Sequence, residues 1–137
     1  MRYTFKAYER LKGKKRIATL FQEGHIINDF SPLQLIYLPV EDEAMTYHQV
    51  LFSVPKKRCK HAADRNRLKR KMREAYRLNK HRLLLPFANK ATGHFLLAYV
   101  YTASDIHLSF VTIQNQILAS IAYLNQVIID GSDNLVS

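Results

Sequence analysis

The sequence predicts a single α/β domain, an α+β sandwich with helices packed on a sheet, and three observations point to it. Apolar residues recur at helical spacing in separate segments, and runs rich in β-branched and aromatic residues lie between those segments. The third is length: 137 residues suffice for one compact core and not for two. The order along the chain is helix, strands, helix, strand, helix.

Ten loose residues lead into a first helix over Lys14–Glu23, where Ile17, Ala18, Leu20 and Phe21 share a face and Gly24 supplies the stop. His25–Phe30 reads as a short strand, and Ser31-Pro32 as a turn. Leu33–Val40 is a strand with Pro39 near its end, and Glu41-Asp42-Glu43 a solvated acidic loop. Tyr47–Val54 is a second long strand, closed by Pro55. A helix follows from about Lys60 to Leu84, with Pro86 marking its limit. Gly93 precedes a third long strand, Phe95–Thr102. Ser104 or Asp105 caps the last helix, whose apolar residues fall at Ile106, Phe110, Ile113, Ile117, Ile121, Leu124 and Ile128. One domain over 1–137 is expected, with its core over about 10–128 and a disordered tail over 130–137.

Composition narrows the function. A hydrophobic content of 47% argues against bulk disorder. The longest apolar runs, Leu33–Val40 and Phe95–Tyr101, are too short to span a membrane, and no apolar stretch follows the N-terminus as a secretory signal requires. The lone Cys59 has no internal disulfide partner, so the expected compartment is the cytoplasm. Six scattered histidines show no metal-ligand spacing, and four glycines form no phosphate loop. Neither a catalytic residue nor a metal site is expected in the protein.

Charge is the informative quantity. The net charge is +10, yet residues 56–82 alone hold 13 Lys/Arg against two acids, Asp64 and Glu74. The remaining residues together come to −1. Such a concentrated field steers a polyanion and releases its counterions, which makes nucleic acid the first candidate partner.

At 100° per residue, Leu68, Met72, Ala75, Tyr76 and Leu83 cluster on one side of this helix as the stripe that buries. Asn66, Arg70, Arg73 and Arg77 line up on another side, with Lys69 at its edge. A solvated helix ordinarily offsets such a row with acids one turn away. Arginine suits phosphate because its planar fork bridges two oxygens. Arg65 phases towards the apolar side at the helix start.

These residues are compatible with nucleic acid, which a general RNA-binding module of the ribosomal-protein kind would also bind, with an acidic protein, and with an anionic membrane surface. The last ranks lowest, because Leu68, Met72 and Tyr76 are better used as core than as exposed anchors.

The segment Lys56-Lys57-Arg58-Cys59-Lys60-His61-Ala62-Ala63-Asp64-Arg65-Asn66-Arg67-Leu68-Lys69-Arg70-Lys71-Met72-Arg73-Glu74-Ala75-Tyr76-Arg77 resembles the signature of the ribonuclease P protein family. That signature is a strand ending in Lys-Lys, then Ala-x-x-Arg-Asn-Arg-x-Lys-Arg-x-x-Arg-Glu-x-aromatic-Arg. Arg10-Leu11-Lys12, Ile17, Leu20-Phe21 and Gly24 are similar to the family's N-terminal helix, so the resemblance covers roughly residues 10–128. It implies a left-handed βαβ crossover, an exception to the usual hand. It also implies a protein that assists removal of the 5′ leader from precursor tRNA while an RNA subunit carries the active site and uses Mg²⁺.

By position, Arg65, Asn66, Arg67, Lys69, Arg70 and Arg73 are implied to face ribonuclease P RNA, with Arg77 continuing their row and Lys56, Lys57 and Lys60 at its mouth. Ile17, Phe21, Tyr37 and Phe52 are candidates for an apolar and aromatic cleft that holds the single-stranded leader, and ordinary core packing fits the same four residues as well until strand register is known. The protein itself needs no cofactor on this reading, and neither a membrane nor an obligate protein partner is expected. The chain departs from the family pattern at Ala63, where a larger side chain is common, and at Thr102-Ala103-Ser104-Asp105, where many relatives place a basic residue.

Overall fold

The computed structural model describes residues 4–42, 44–84 and 93–136. Among these, the chain forms α1 (Lys14–Glu23), β1 (His25–Phe30), β2 (Leu33–Glu41), β3 (Gln49–Ser53), α2 (Ala62–Asn79), β4 (Gly93–Tyr101) and α3 (Phe110–Val136). Short 3-10 turns stand at Ala7–Glu9 and Lys80–Arg82.

The strands make one sheet in the order β1-β2-β4-β3. β2 runs antiparallel to both β1 and β4, whereas β3 and β4 run parallel. A parallel pair needs a long crossover, and α2 provides it. β4 is central and buried on both faces, which explains its unbroken apolar run Phe95-Leu96-Leu97-Ala98-Tyr99.

Alternation divides the core in two. Leu33, Leu35 and Tyr37 of β2 and Phe95, Leu97, Tyr99 and Tyr101 of β4 face α2 and α3. They meet Leu68, Met72, Ala75 and Tyr76 of α2 and Ile113, Ile117, Ile121, Leu124 and Ile128 of α3. The other face, Ile36, Leu96 and Ala98, packs with Leu20 of α1 and with Leu11 and Met45. The sheet is therefore a septum, with α1 on one side and α2 and α3 on the other.

Glycines set both ends of α1. Gly13 precedes it at φ 93°, a conformation that L side chains rarely adopt. Gly24 lets the helix end lie against the sheet, where an added Cβ would meet the Leu20 carbonyl and stand 2.8 Å from Ile36 Cγ2. Two polar ties lock the opposite layer. Asn79 Nδ2 donates to Ala75 O at 2.8 Å and to Gln114 Oε1 at 2.9 Å, and the hydroxyls of Tyr99 and Ser120 lie 2.6 Å apart.

Several boundaries differ from the sequence expectation. β3 begins at Gln49 and not at Tyr47, because the His48 ring leaves the ladder and its Nδ1 accepts from Phe95 N–H at 2.9 Å. α2 ends at Asn79 and tightens into the 3-10 turn before Leu83; Pro86 lies outside the described residues. α3 begins at Phe110 and not after Ser104 or Asp105. Asp105 closes its own turn, its Oδ1 accepting from His107 N–H at 2.8 Å, and Ser109 Oγ takes the capping bond from Thr112 N–H at 3.2 Å. At the other end α3 continues to Val136, through most of the stretch expected as a disordered tail. The acidic loop is also not simply solvated: Asp42 pairs with Arg16 of α1 at 2.7 Å.

Candidate nucleic-acid interface

The site is built on α2 because its two faces are so unequal. Leu68, Met72 and Tyr76 are buried against the sheet, so none is available to anchor in a lipid surface. Their burial fixes the helix azimuth and turns Asn66, Arg67 and Arg70 to solvent, with Lys69 and Arg73 half-buried at the flanks.

Part of this positive charge is compensated internally. Arg67 pairs with Asp64 at 3.1 Å, and Arg77 with Glu74. The Arg77 hydrogen bond holds the Glu74 carboxyl below its ordinary range. Lys71 Nζ donates to the Leu108 carbonyl at 3.0 Å, tying α2 to the segment before α3. Lys69, Arg70 and Arg73 have no carboxylate within 4 Å among the described residues. Between α2 and Phe110 lies an open groove lined by Arg67, Arg70, Lys71 and Arg73, with Glu74 the single acid.

Arg65 plays a different part. Its Nη1 donates to the carbonyls of Cys59 at 3.0 Å and Lys60 at 2.7 Å. From the other side, Pro55 O accepts from Arg58 N–H at 3.0 Å and Cys59 N–H at 3.2 Å. The loop is thus folded back on itself, with Cys59 buried and Lys56, Lys57 and Lys60 exposed around the start of α2. Arg65 braces the lysines and does not itself face solvent as a free cation.

The four cleft candidates do not come together. Ile17 and Phe21 belong to α1, and Phe21 is 43% exposed. Tyr37 and Phe52 lie on the other side of the sheet. Tyr37 is only 7% exposed and meets Phe95 and Tyr123 edge-on, and Phe52 stacks on Tyr99 at 5.9 Å. Tyr37 is a core residue and Phe52 is half-buried against the same core, because a side chain's face follows strand register, which a one-residue offset inverts. Beside Tyr37 on β2, Ile36 faces α1, as do Leu38 and Val40, and the register partner of Ile36, Ile26 on β1, is 52% exposed on that same face. Ile26 escapes a reading of the sequence; the alternation of β1 and β2, once registered, is the signal that finds it.

Among the described residues, no group of three or more His, Cys, Asp or Glu is arranged to hold a metal ion, and no helix is long and apolar enough to cross a membrane.

Known proteins share this fold. The fold is that of the Staphylococcus aureus RNase P protein, with a TM-score of 0.65 over 90% of this chain and 99% of that one at 20% identity. A ribonuclease P protein component of Porphyromonas gingivalis is 45% identical over 75 residues, 55% of this chain and 54% of that protein. One of Chlorobaculum tepidum is 43% identical over 102 residues, 69% of this chain and 65% of its own length. The chain thus spans about half the length of the first of these relatives and under two thirds of the second. The family model described as Ribonuclease P matches residues 5–116, from the N-terminal segment through α2 and into α3, and the chain belongs to that family.

Proposed function

We propose that this chain is the protein subunit of ribonuclease P, which docks on the RNA subunit through α2 and assists endonucleolytic removal of the 5′ leader from precursor tRNA. The observation that carries this reading is the row Lys69, Arg70 and Arg73, which stands without a carboxylate partner among the described residues on a helix whose opposite face is core. Phosphates supply the compensating charge, and the arginine forks take it in a directed way. The braced loop adds Lys56, Lys57 and Lys60 at one end of the row. The leader lies on the α1 side, where Phe21 and Ile26 offer exposed apolar surface beside half-buried Ile17. The chemistry belongs to the RNA subunit with its Mg²⁺, and the protein contributes binding and orientation.

Reconstitution tests this. The full chain is mixed with a bacterial ribonuclease P RNA at low Mg²⁺, and cleavage of a precursor tRNA is followed. The protein alone is expected to be inactive, and its addition to raise RNA-dependent cleavage. Binding with no gain in cleavage, repeated with the cognate RNA, would identify a general RNA-binding module instead.

A further inference from the structure

A second cationic surface lies outside α2. Residues 4–16 carry six bases, Lys6, Arg10, Lys12, Lys14, Lys15 and Arg16, against the single acid Glu9. Glu9 is committed to a buried pair with Lys80, their side chains 4% and 8% exposed, and it also accepts from Lys6 N–H at 2.8 Å. Arg16 is held by Asp42. Lys6, Arg10, Lys12, Lys14 and Lys15 have no carboxylate within 4 Å among the described residues.

The same segment carries an aromatic platform. Tyr8 stacks on Tyr47 with ring centroids 5.3 Å apart and planes 30° apart, yet it remains 46% exposed. Arg10 is positioned twice over. Its backbone bridges Val50 at the edge of β3, and its guanidinium carbon stands 5.6 Å from the Phe5 ring centroid. Tyr8, Arg10, Lys12 and Gln49 line one shallow hollow. It sits at the β3 edge of the sheet, whereas Ile26 sits on β1, the opposite edge.

We infer that this hollow is a second RNA-contacting site, one that takes a single strand by stacking a base on the Tyr8–Tyr47 pair and meeting its phosphates with Arg10 and Lys12. An exposed ring beside unpaired cations suits unstacked bases, which a duplex does not offer. The inference rests on the reading that the chain binds RNA, and it is independent of the groove on α2.

The test uses the full chain and a fluorescein-labelled 12-nucleotide single-stranded RNA carrying one 4-thiouridine, with anisotropy read at several salt concentrations. Tyr8→Ala is expected to weaken binding roughly tenfold or more, with Tyr8→Phe near wild type, because only the ring is needed. Arg10→Gln with Lys12→Gln is expected to flatten the slope of log K against log salt by about 0.7 for each phosphate left without its cation. Photocrosslinks are expected at Tyr8 or Tyr47. If the N-terminal variants bind as wild type with unchanged slope and the crosslinks fall on α2, the inference is overturned while RNA binding stands. A wild-type chain that binds neither this probe nor ribonuclease P RNA overturns both readings.

Discussion

The Arg65 guanidinium reaches back over the start of its own helix to the Lys60 carbonyl, 2.7 Å away. It braces the loop that carries Lys56, Lys57 and Lys60, and on the proposed function it acts on RNA binding through that loop. Arg65→Ala is expected to cost about 1.5–3 kcal/mol in urea unfolding, the scale of a charge-assisted hydrogen bond. It should also weaken RNA binding with little change in the salt slope, since the charge removed does not sit on phosphate. A slope change as large as that of Arg70→Ala would place Arg65 on the RNA directly.

Neighbouring positions on α2 should separate folding from binding. Arg70 is exposed and Met72, two residues on, is fully buried. Arg70→Ala is expected to leave stability within about 0.5 kcal/mol of wild type while RNA affinity falls. Met72→Ala is expected to cost about 2–5 kcal/mol through the cavity it leaves. Denaturation and binding measured on both variants check the assignment of faces, and a stability loss in Arg70→Ala with affinity kept would invert it.

Acid should destabilise the fold through His48. Its Nδ1 accepts from Phe95 N–H and its Nε2 lies 2.9 Å from the Leu84 carbonyl, so the neutral ring satisfies both neighbours. Burial, the largest cause, pushes its pKa down from 6.5 to about 4, and the nearby His94 acts in the same direction. The unfolded chain then binds the proton more readily, so stability is highest above pH 6.5 and declines as pH falls from 6.5 towards 4. The decline amounts to about 3 kcal/mol across that window. Urea midpoints against pH should show this decline in wild type and a shallower one in His48→Asn.

Gly24→Ala should disturb the α1 side specifically. The new methyl has no room beside Leu20 O and Ile36 Cγ2, so the helix end must lift. The expected cost is about 1–3 kcal/mol, the range for overpacking. Phe21 moves with the helix, so affinity for the leader should fall more than affinity for the RNA subunit. Equal reductions for both ligands would separate Phe21 from leader binding.

Legibility in the sequence follows the physics of each signal. α1 is readable to the residue because Gly24 ends it and its apolar spacing is local. The start of β3 is not, because whether the His48 ring or a backbone carbonyl meets Phe95 N–H depends on a distant strand. The start of α3 is hidden by Asp105, which has the chemistry of a cap and uses it in a turn ahead of the helix. The buried and exposed faces of α2 are legible from helical period alone. Tyr37 and Phe52 stay open between cleft and core in the sequence because composition cannot show strand parity; the register packs both with the α2 and α3 side, and Ile36 next door faces the other way. The N-terminal cations are masked when they are summed with acids scattered over the rest of the chain.

The septum has an energetic corollary along β4. Leu96 and Leu97 are chain neighbours, but their side chains enter different clusters on opposite faces. Substitutions at Leu97 and Met72 share one packing neighbourhood and should be non-additive, whereas Leu96 and Met72 should add. Adjacency in sequence is here a poor guide to interdependence. The α1 side can therefore be repacked while the groove on α2 keeps its own core.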